Sequence, residues 1–227
     1  MKILDVGCGP GSITIDFAKY VTLGHVVGMD TEAAAATLAK ARAQAVKEGM
    51  HNVEFLSGDA LALPFPDNSF DVVHSHQVIQ YVDNPVLFFE EMRWVVKPGG
   101  YVACHSCDTG TTVIQPQPQY RKLEKLEQLC NRVLEESGRS LKAARSMHIW
   151  ARKAGFNPAR FKLTTSNYVF RTLEERRYWG TMAVGIVRES AMMTAAVKKG
   201  YITAEEVTEG LHMGTLDSRR GRVVRDS

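Results

Sequence analysis

The sequence predicts an α/β fold, a doubly wound and mostly parallel sheet with a helical cap, and three observations predict it. Short apolar runs alternate with helix-spaced segments through the first half of the 227-residue chain. A glycine cluster, Gly7, Gly9 and Gly11, lies between the first such run and the first helical pattern. An aspartate, Asp30, closes the second run.

Taken in order, Lys2 to Val6 is a short apolar strand, and Ser12 to Val21 shows helical spacing through Ile13, Phe17 and Tyr20. His25 to Met29 is a second strand ending at Asp30. Thr31 then caps an alanine-rich helix that runs to Lys47 and stops at Gly49. Val53 to Leu56, Phe70 to His74 and Tyr101 to His105 read as three further strands. A helix from Pro85 to Val95 has Asp83 or Asn84 as its cap and proline at its first position, where the missing N–H costs nothing.

The period changes after Asp108. Gln115, Pro116, Gln117 and Pro118 break the pattern, and helical spacing follows over Tyr120 to Glu136 and Leu141 to Ala154, a pair expected to form a cap over the ligand crevice. Arg160 to Phe170 is expected as another strand, with helices over Thr172 to Lys199 and Ala204 to Leu211. No repeat or internal boundary stands out. The expectation is one domain: core 1–110, cap about 115–155, C-terminal strand and helices 160–212, and a loose tail 213–227.

Composition narrows the function classes. A net charge of +3 and a pI near 8.6 come from mixed charges, with local basic excess only at Arg219, Arg220, Arg222 and Arg225, so no nucleic-acid partner is expected. No apolar run approaches the roughly 18 residues of a membrane span, and no leader pattern precedes the first strand. The four cysteines, Cys8, Cys104, Cys107 and Cys130, are irregularly spaced and suit a reducing compartment, so a cytoplasmic location is expected. Cys104 and Cys107 have C-x-x-C spacing without a second pair, and residues three apart on a strand face opposite ways, so no metal site is expected.

The chemistry is carried by Asp5-Val6-Gly7-Cys8-Gly9-Pro10-Gly11 between a strand and a helix. Glycines there let the backbone turn tightly against a ligand, and N–H groups at the helix start offer donors. Asp30 stands where a doubly wound sheet sets a carboxylate against a ribose hydroxyl, which implies a nucleoside-bearing cofactor. A dinucleotide fingerprint would place its last glycine or alanine at Ser12, which argues against a nicotinamide-dependent dehydrogenase.

The D-x-G-x-G-x-G pattern of Asp5, Gly7, Gly9 and Gly11 resembles the first motif of the class I S-adenosylmethionine-dependent methyltransferases, which have a Rossmann-like fold. Ser57-Gly58-Asp59-Ala60 and Leu63-Pro64-Phe65-Pro66-Asp67-Asn68-Ser69-Phe70-Asp71 resemble the ubiquinone/menaquinone-biosynthesis type (methyltransferase type 11), and the likeness runs from Lys2 to about Asp108. Lys97-Pro98-Gly99-Gly100 resembles that family's turn into the fifth strand. The resemblance implies a cofactor site that includes Asp5, Gly7, Cys8, Gly9 and Gly11, with Gly7, Cys8 and Gly9 at the amino-acid end and Asp30 on the ribose hydroxyls. Thr31, Asp59 and Ala60 would border the adenine, and His76 and Gln77 the sulfonium.

It also implies methyl transfer to a small-molecule acceptor, leaving S-adenosylhomocysteine. If the acceptor is a hydroxyl, His76, His105 and His148 are candidate bases, with His76 the catalytic candidate. His148 and Trp150 are candidate pocket residues, with core packing as the other reading. Family members carry a helical segment before the first motif and an antiparallel strand near the end. Here the first motif follows Met1 closely, and Arg222-Val223-Val224-Arg225 is a weak substitute for that strand, so a non-catalytic or truncated protein of the same fold is the alternative. Oligomeric state is open.

Overall fold

A computed structural model of the chain describes residues 1–111, 121–136, 138–140, 142–167, 169, 172, 174–175, 178 and 191–208. Two compact units emerge, one made of Met1–Asp108 with Ser140–Lys162 and the other of Thr109–Arg139 with Leu163–Ser227.

The first unit is built on five strands: β1 (Lys2–Val6), β2 (His25–Asp30), β3 (Val53–Ser57), β4 (Phe70–His76) and β5 (Val96–His105). All pairings are parallel and the order is β3-β2-β1-β4-β5, so β1 is central and the chain reverses its direction of travel between β1 and β4. Such a reversal opens a crevice at the carboxyl ends of the strands. The Rossmann-like α/β expectation is met.

Burial explains the strands. Ile3, Leu4 and Val6 in β1 and Val26, Val27 and Met29 in β2 are at most 5% exposed, so these strands read as continuous apolar runs covered on both faces. Helix α1 (Ser12–Tyr20) and helix α2 (Ala35–Lys47) bury Ile15, Ala18, Leu38, Ala41 and Ala45. Helix α3 (Pro85–Val95) buries Phe88, Phe89, Met92 and Val95, and starts where Asn84 accepts the Leu87 N–H at 3.1 Å with Pro85 at its first turn. Asn84 is therefore the cap.

At the amino ends of the strands Asp71 accepts the Lys2 N–H at 2.6 Å and the Lys97 ammonium at 2.8 Å. These bonds hold its carboxyl below the usual range, that to Lys97 most strongly. Val96 pairs with Phe70 and Tyr101 with Val72, so β5 begins earlier than its pattern suggests, with Lys97-Pro98-Gly99-Gly100 looped out between the two pairs.

Helix α4 (Arg121–Glu136) and helix α5 (Ala143–Lys153) occupy the two helical patterns expected for a cap. Helix α5 is a layer of the first unit's core. Ala143 and Ala154 are buried, and Met147, Trp150 and Ala151 pack with them against the cluster that contains Phe88 and Phe89. That spacing is one continuous helical stripe, and α3 is what it covers. The strand expected over Arg160 to Phe170 is corrected: residues 161–167 and 169 are not strand, and most of them are exposed.

In the second unit α4 packs on helix α6 (Ala191–Lys198), with Val133 and Ala196 buried. Glu136 accepts Lys199 and Tyr201 at 2.9 Å and Arg132 at 3.1 Å, and these partners, Lys199 foremost, hold its carboxyl at about 2. Residues 204–208 are helical, while most of the expected helix over 172–199 and all of the tail 213–227 lie outside the described residues. Among the described residues no helix is long and apolar enough to cross a membrane, and no cluster of His, Cys, Asp and Glu suits a metal ion.

Candidate active site

The glycine loop leaves β1 and enters α1 at the carboxyl ends of the strands. Gly7, Gly9 and Gly11 all have positive φ, 73°, 52° and 78°. The three are not equivalent. A Cβ at Gly11 would come 2.7 Å from Phe55 and 2.8 Å from Ala41, so Gly11 is required by packing of the loop on α2 and β3. A Cβ at Gly9 would meet nothing within 4 Å, so Gly9 faces open space at the crevice. Beside Gly7 the space is taken by Val78, whose Cγ2 would lie 2.1 Å from an added Cβ.

The loop's own amides are used internally. Gly7 and Cys8 donate to the Met29 carbonyl at 2.7 and 3.0 Å, Gly9 donates to Asp30 Oδ2 at 2.7 Å, and Gly11 donates to the Cys8 carbonyl at 3.0 Å. The donors for a polar ligand therefore move one step along: helical geometry leaves the N–H groups of Ser12, Ile13 and Thr14 without an intrahelical acceptor. Asp30 ends β2 facing the loop. Its Oδ1 accepts the Thr31 N–H at 2.7 Å, and each carboxylate oxygen keeps a further lone pair for a hydroxyl.

Asp5 is buried to 2% exposure beneath the loop. It accepts the Thr14 hydroxyl at 2.6 Å on Oδ2, and its Oδ1 bonds His74 Nδ1 at 2.8 Å. This carboxylate ties β1, α1 and β4 together. Cys8 is also buried, and burial first, then the neighbouring Asp5 and Asp30, push its thiol up to about 12. On the adenine side of the sequence reading, Asp59 Oδ1 accepts the Leu61 N–H at 2.8 Å, Asp59 bridges to Ala62, Ala60 packs on the core, and Thr31 is exposed.

Three imidazoles line the ends of β4 and β5. His74 and His76 share one face of β4, their rings parallel within 11° and 6.5 Å apart. His76 pairs in register with His105 of β5, and these two rings stack at 4.8 Å within 6° of parallel. Phe17 of α1 meets His74 edge-on at 4.9 Å. His105 Nδ1 is a buried nitrogen with no hydrogen-bond partner among the described residues. Burial first, then the charges of His105 and His74, hold His76 below its ordinary value, against the opposing pull of Asp5.

Gln77 follows His76 in the left-handed region, φ 60°, which non-glycine residues adopt rarely. Several bonds hold it there. Its N–H donates to the His105 carbonyl at 2.9 Å, its Oε1 accepts from Gln80 Nε2 and the Cys107 N–H, and its Nε2 donates to Cys107 Sγ. Gln80 Oε1 in turn accepts the Ser106 hydroxyl. Gln77 thus braces β4 against β5.

The structure gathers Gly9, Gly11, Asp30, Asp5, His76 and Gln77 around the point where the strand order reverses, with Asp59 and Ala60 after the neighbouring edge strand β3. His148 is exposed on α5 and Trp150 packs in the core, so Trp150 follows the packing reading. Sequence reasoning missed Thr14 and His74 as partners of Asp5, and Val78 as the neighbour of Gly7. Asp5 and His74 meet because they stand opposite each other in the β1–β4 register, which only the sheet pairing reveals.

A reversal-point crevice, a glycine loop and a carboxylate at the end of the second strand define a Rossmann-like domain that holds a nucleoside. The model of a family described as methyltransferase domain matches residues 1–175. The chain belongs to that family: it is a methyltransferase domain of the class that uses S-adenosylmethionine. It is 37% identical over 183 residues to an uncharacterized methyltransferase of Schizosaccharomyces pombe, covering 78% of this chain and 64% of that protein. It is 40% identical over 105 residues to the demethylmenaquinone methyltransferase of Listeria welshimeri, covering 45% and 43% respectively. The chain therefore spans less than two thirds of the length of both relatives. The cyclase SpnF shares the fold at a TM-score of 0.57 and 21% identity, covering 96% of this chain and 71% of that one.

Proposed function

We propose that this chain transfers the methyl group of S-adenosylmethionine to a small-molecule acceptor. The observation that supports the reading best is the Gly9 N–H to Asp30 Oδ2 bond beside an open Gly9, because one contact fixes the loop and aims the carboxylate at the crevice. The cofactor supplies an activated methyl on a positive sulfur. What remains for the chain is to bind, orient and exclude water.

In this reading Asp30 accepts the ribose hydroxyls. The loop from Gly7 through Gly11 borders the amino-acid end, held from behind by Asp5, which acts through Thr14 and His74. Thr31, Asp59 and Ala60 border the adenine. His76 and Gln77 face the region where the methyl moves, with Gln77 held by its bonds to Gln80 and Cys107. S-adenosylhomocysteine is the product. The demethylmenaquinone methyltransferase among the relatives, named for a small-molecule acceptor, supports the same class here.

Calorimetric titration of the purified chain with S-adenosylmethionine tests the proposal, alongside Asp30→Ala and a circular dichroism check of both. Binding that weakens by at least about a hundredfold in the variant supports the site, consistent with loss of two charge-assisted hydrogen bonds. A folded wild-type chain that does not bind the cofactor, or an Asp30→Ala variant that binds as well, would overturn it. Transfer of isotope-labelled methyl from the cofactor to an acceptor library then identifies the substrate.

A further inference from the structure

Charge is unevenly shared along the chain. Of the 28 lysines and arginines, eight lie in the 37 residues from 137 to 173, where no aspartate or glutamate stands; the other twenty are outnumbered by the chain's 25 acidic residues. The basic excess expected only at Arg219, Arg220, Arg222 and Arg225 therefore has a second and larger instance. It is thin at any one point because it is spread over a helix and the loop after it.

The fold gathers this charge. From the cap at Lys142 to the end at Lys153, the exposed residues of α5 are Lys142, Arg145, His148, Ile149, Arg152 and Lys153. At the α-helical repeat they fall within an arc of about 140°, opposite the stripe of Ala143, Met147, Trp150 and Ala154 that packs in the core. Arg160 and Lys162 follow, both exposed, and Arg93 of α3 comes beside Gly155, where an added Cβ would lie 3.5 Å from its Cζ. Arg145 is held by Asp108 through two bonds, at 2.5 and 3.0 Å. Arg93, Arg152, Lys153, Arg160 and Lys162 have no ion pair among the described residues. Helix stability does not account for the pattern. Cations suit the last turn of a helix, which covers Arg152 and Lys153, but they oppose the dipole at the first, where Lys142 stands and no acidic residue does.

We propose that this outer face of α5, with Arg93, Arg160 and Lys162, docks the protein reversibly on an anionic lipid surface. Charge complementarity calls for a negative partner, and two apolar side chains select lipid over nucleic acid. Ile149, 39% exposed, stands inside the basic arc, and Trp94, 61% exposed, follows Arg93. Among phosphates in water such groups gain little. At a bilayer they enter the boundary between headgroups and acyl chains, which tryptophan favours. Lysine and arginine stems lie along the same boundary with their charges held in water. Attraction of this kind is worth about fivefold in affinity for each cation near the surface, and it fades as salt screens it. None of these residues belongs to the proposed cofactor site, so docking stands or falls apart from methyl transfer.

Co-sedimentation of the full chain with vesicles tests the docking face, using phosphatidylcholine mixed with phosphatidylglycerol, and phosphatidylcholine alone. Binding is expected to the mixed vesicles only, and to weaken as salt is raised. The double variant Arg152→Gln, Lys153→Gln is expected to bind about thirtyfold more weakly, from about fivefold for each cation. Lys40→Gln, Lys47→Gln removes the same charge from exposed positions on α2 and is expected to bind as the wild type does. Ile149→Ser is expected to weaken binding without changing its dependence on salt, a response that charge alone does not give. Circular dichroism checks the fold of each variant. The proposal is overturned if the wild type ignores the mixed vesicles, if the α5 double variant or Ile149→Ser binds them as tightly as the wild type, or if the α2 variant loses as much. A chain that ignores the vesicles but retards a labelled RNA duplex in a gel, and stops doing so in the α5 double variant, would overturn it in favour of nucleic acid.

Discussion

Among single residues, the glycines of the loop make the sharpest contrast. Gly11→Ala forces a side chain into Phe55 and Ala41 at positive φ, so the expected cost is roughly 1–3 kcal/mol of overpacking plus about 1–2 kcal/mol for the left-handed backbone. Gly9→Ala carries only the backbone part, yet its methyl enters the crevice. The expected outcome is a pair of opposites in denaturant melts and cofactor titrations: Gly11→Ala unfolds early, while Gly9→Ala stays folded and loses most affinity. Equal stability losses would show that Gly9 does not face an open site. The glycine motif was legible because its spacing and flanking strand are local. Its internal accounting was not, because the acceptors of its amides, Met29 and Asp30, belong to the next strand. The same holds for Asp5, whose partner His74 lies 69 residues away and becomes a neighbour only through strand register.

The secondary-structure elements were read well where a strand or helix declares itself, and less well where its identity depends on a partner. Apolar runs and caps placed β1 to β4, α2 and α3 to within a few residues. The stripe on α5 says that one face is buried without saying against what, and α3 supplied the answer. Arg160 to Phe170 has strand-like composition, but a strand exists only with a neighbour to pair, and residues 161–167 and 169 pair with none as a strand. One side chain shows how elements are fastened. Asn52, just before β3, donates through Nδ2 to the carbonyls of Ala18 and Val21 at 3.0 and 3.1 Å and so satisfies the open end of α1. Asn52→Ala is expected to cost about 1–2 kcal/mol by the ordinary worth of two such bonds, read as a lowered chemical-denaturation midpoint at unchanged slope. An unchanged midpoint would mean that water replaces the amide without loss.

For the whole molecule, the sheet grades stability from centre to edge. β1 is paired on both sides and buried, whereas β5 has Tyr101 at 74% exposure. Hydrogen exchange followed by mass spectrometry is expected to find the slowest amides in β1, β2 and β4 and faster exchange through β5. Protection in β5 equal to that in β1 would contradict the grading. A stable centre beside a less protected β5 suits a site whose acceptor side varies while its nucleoside side stays fixed. The likeness to a cyclase shows that this architecture accommodates more than one chemistry. The reaction therefore has to be argued from residues such as Asp30, His76 and His105.

The pairing of β1 with β4 has a consequence for how the chain acquires its structure. Asp5 and His74 are register partners, so the middle of the sheet closes only after a loop of some seventy residues has been gathered in. During synthesis β1, α1 and β2 leave the ribosome before β4 and wait, with one edge of β1 unsatisfied, until β4 follows. Non-local closure of this kind slows folding, and an unpaired apolar edge invites association with other nascent chains. The feature that creates the cofactor crevice, a reversal of strand order at β1, is thus also the step at which this protein depends most on an undisturbed start.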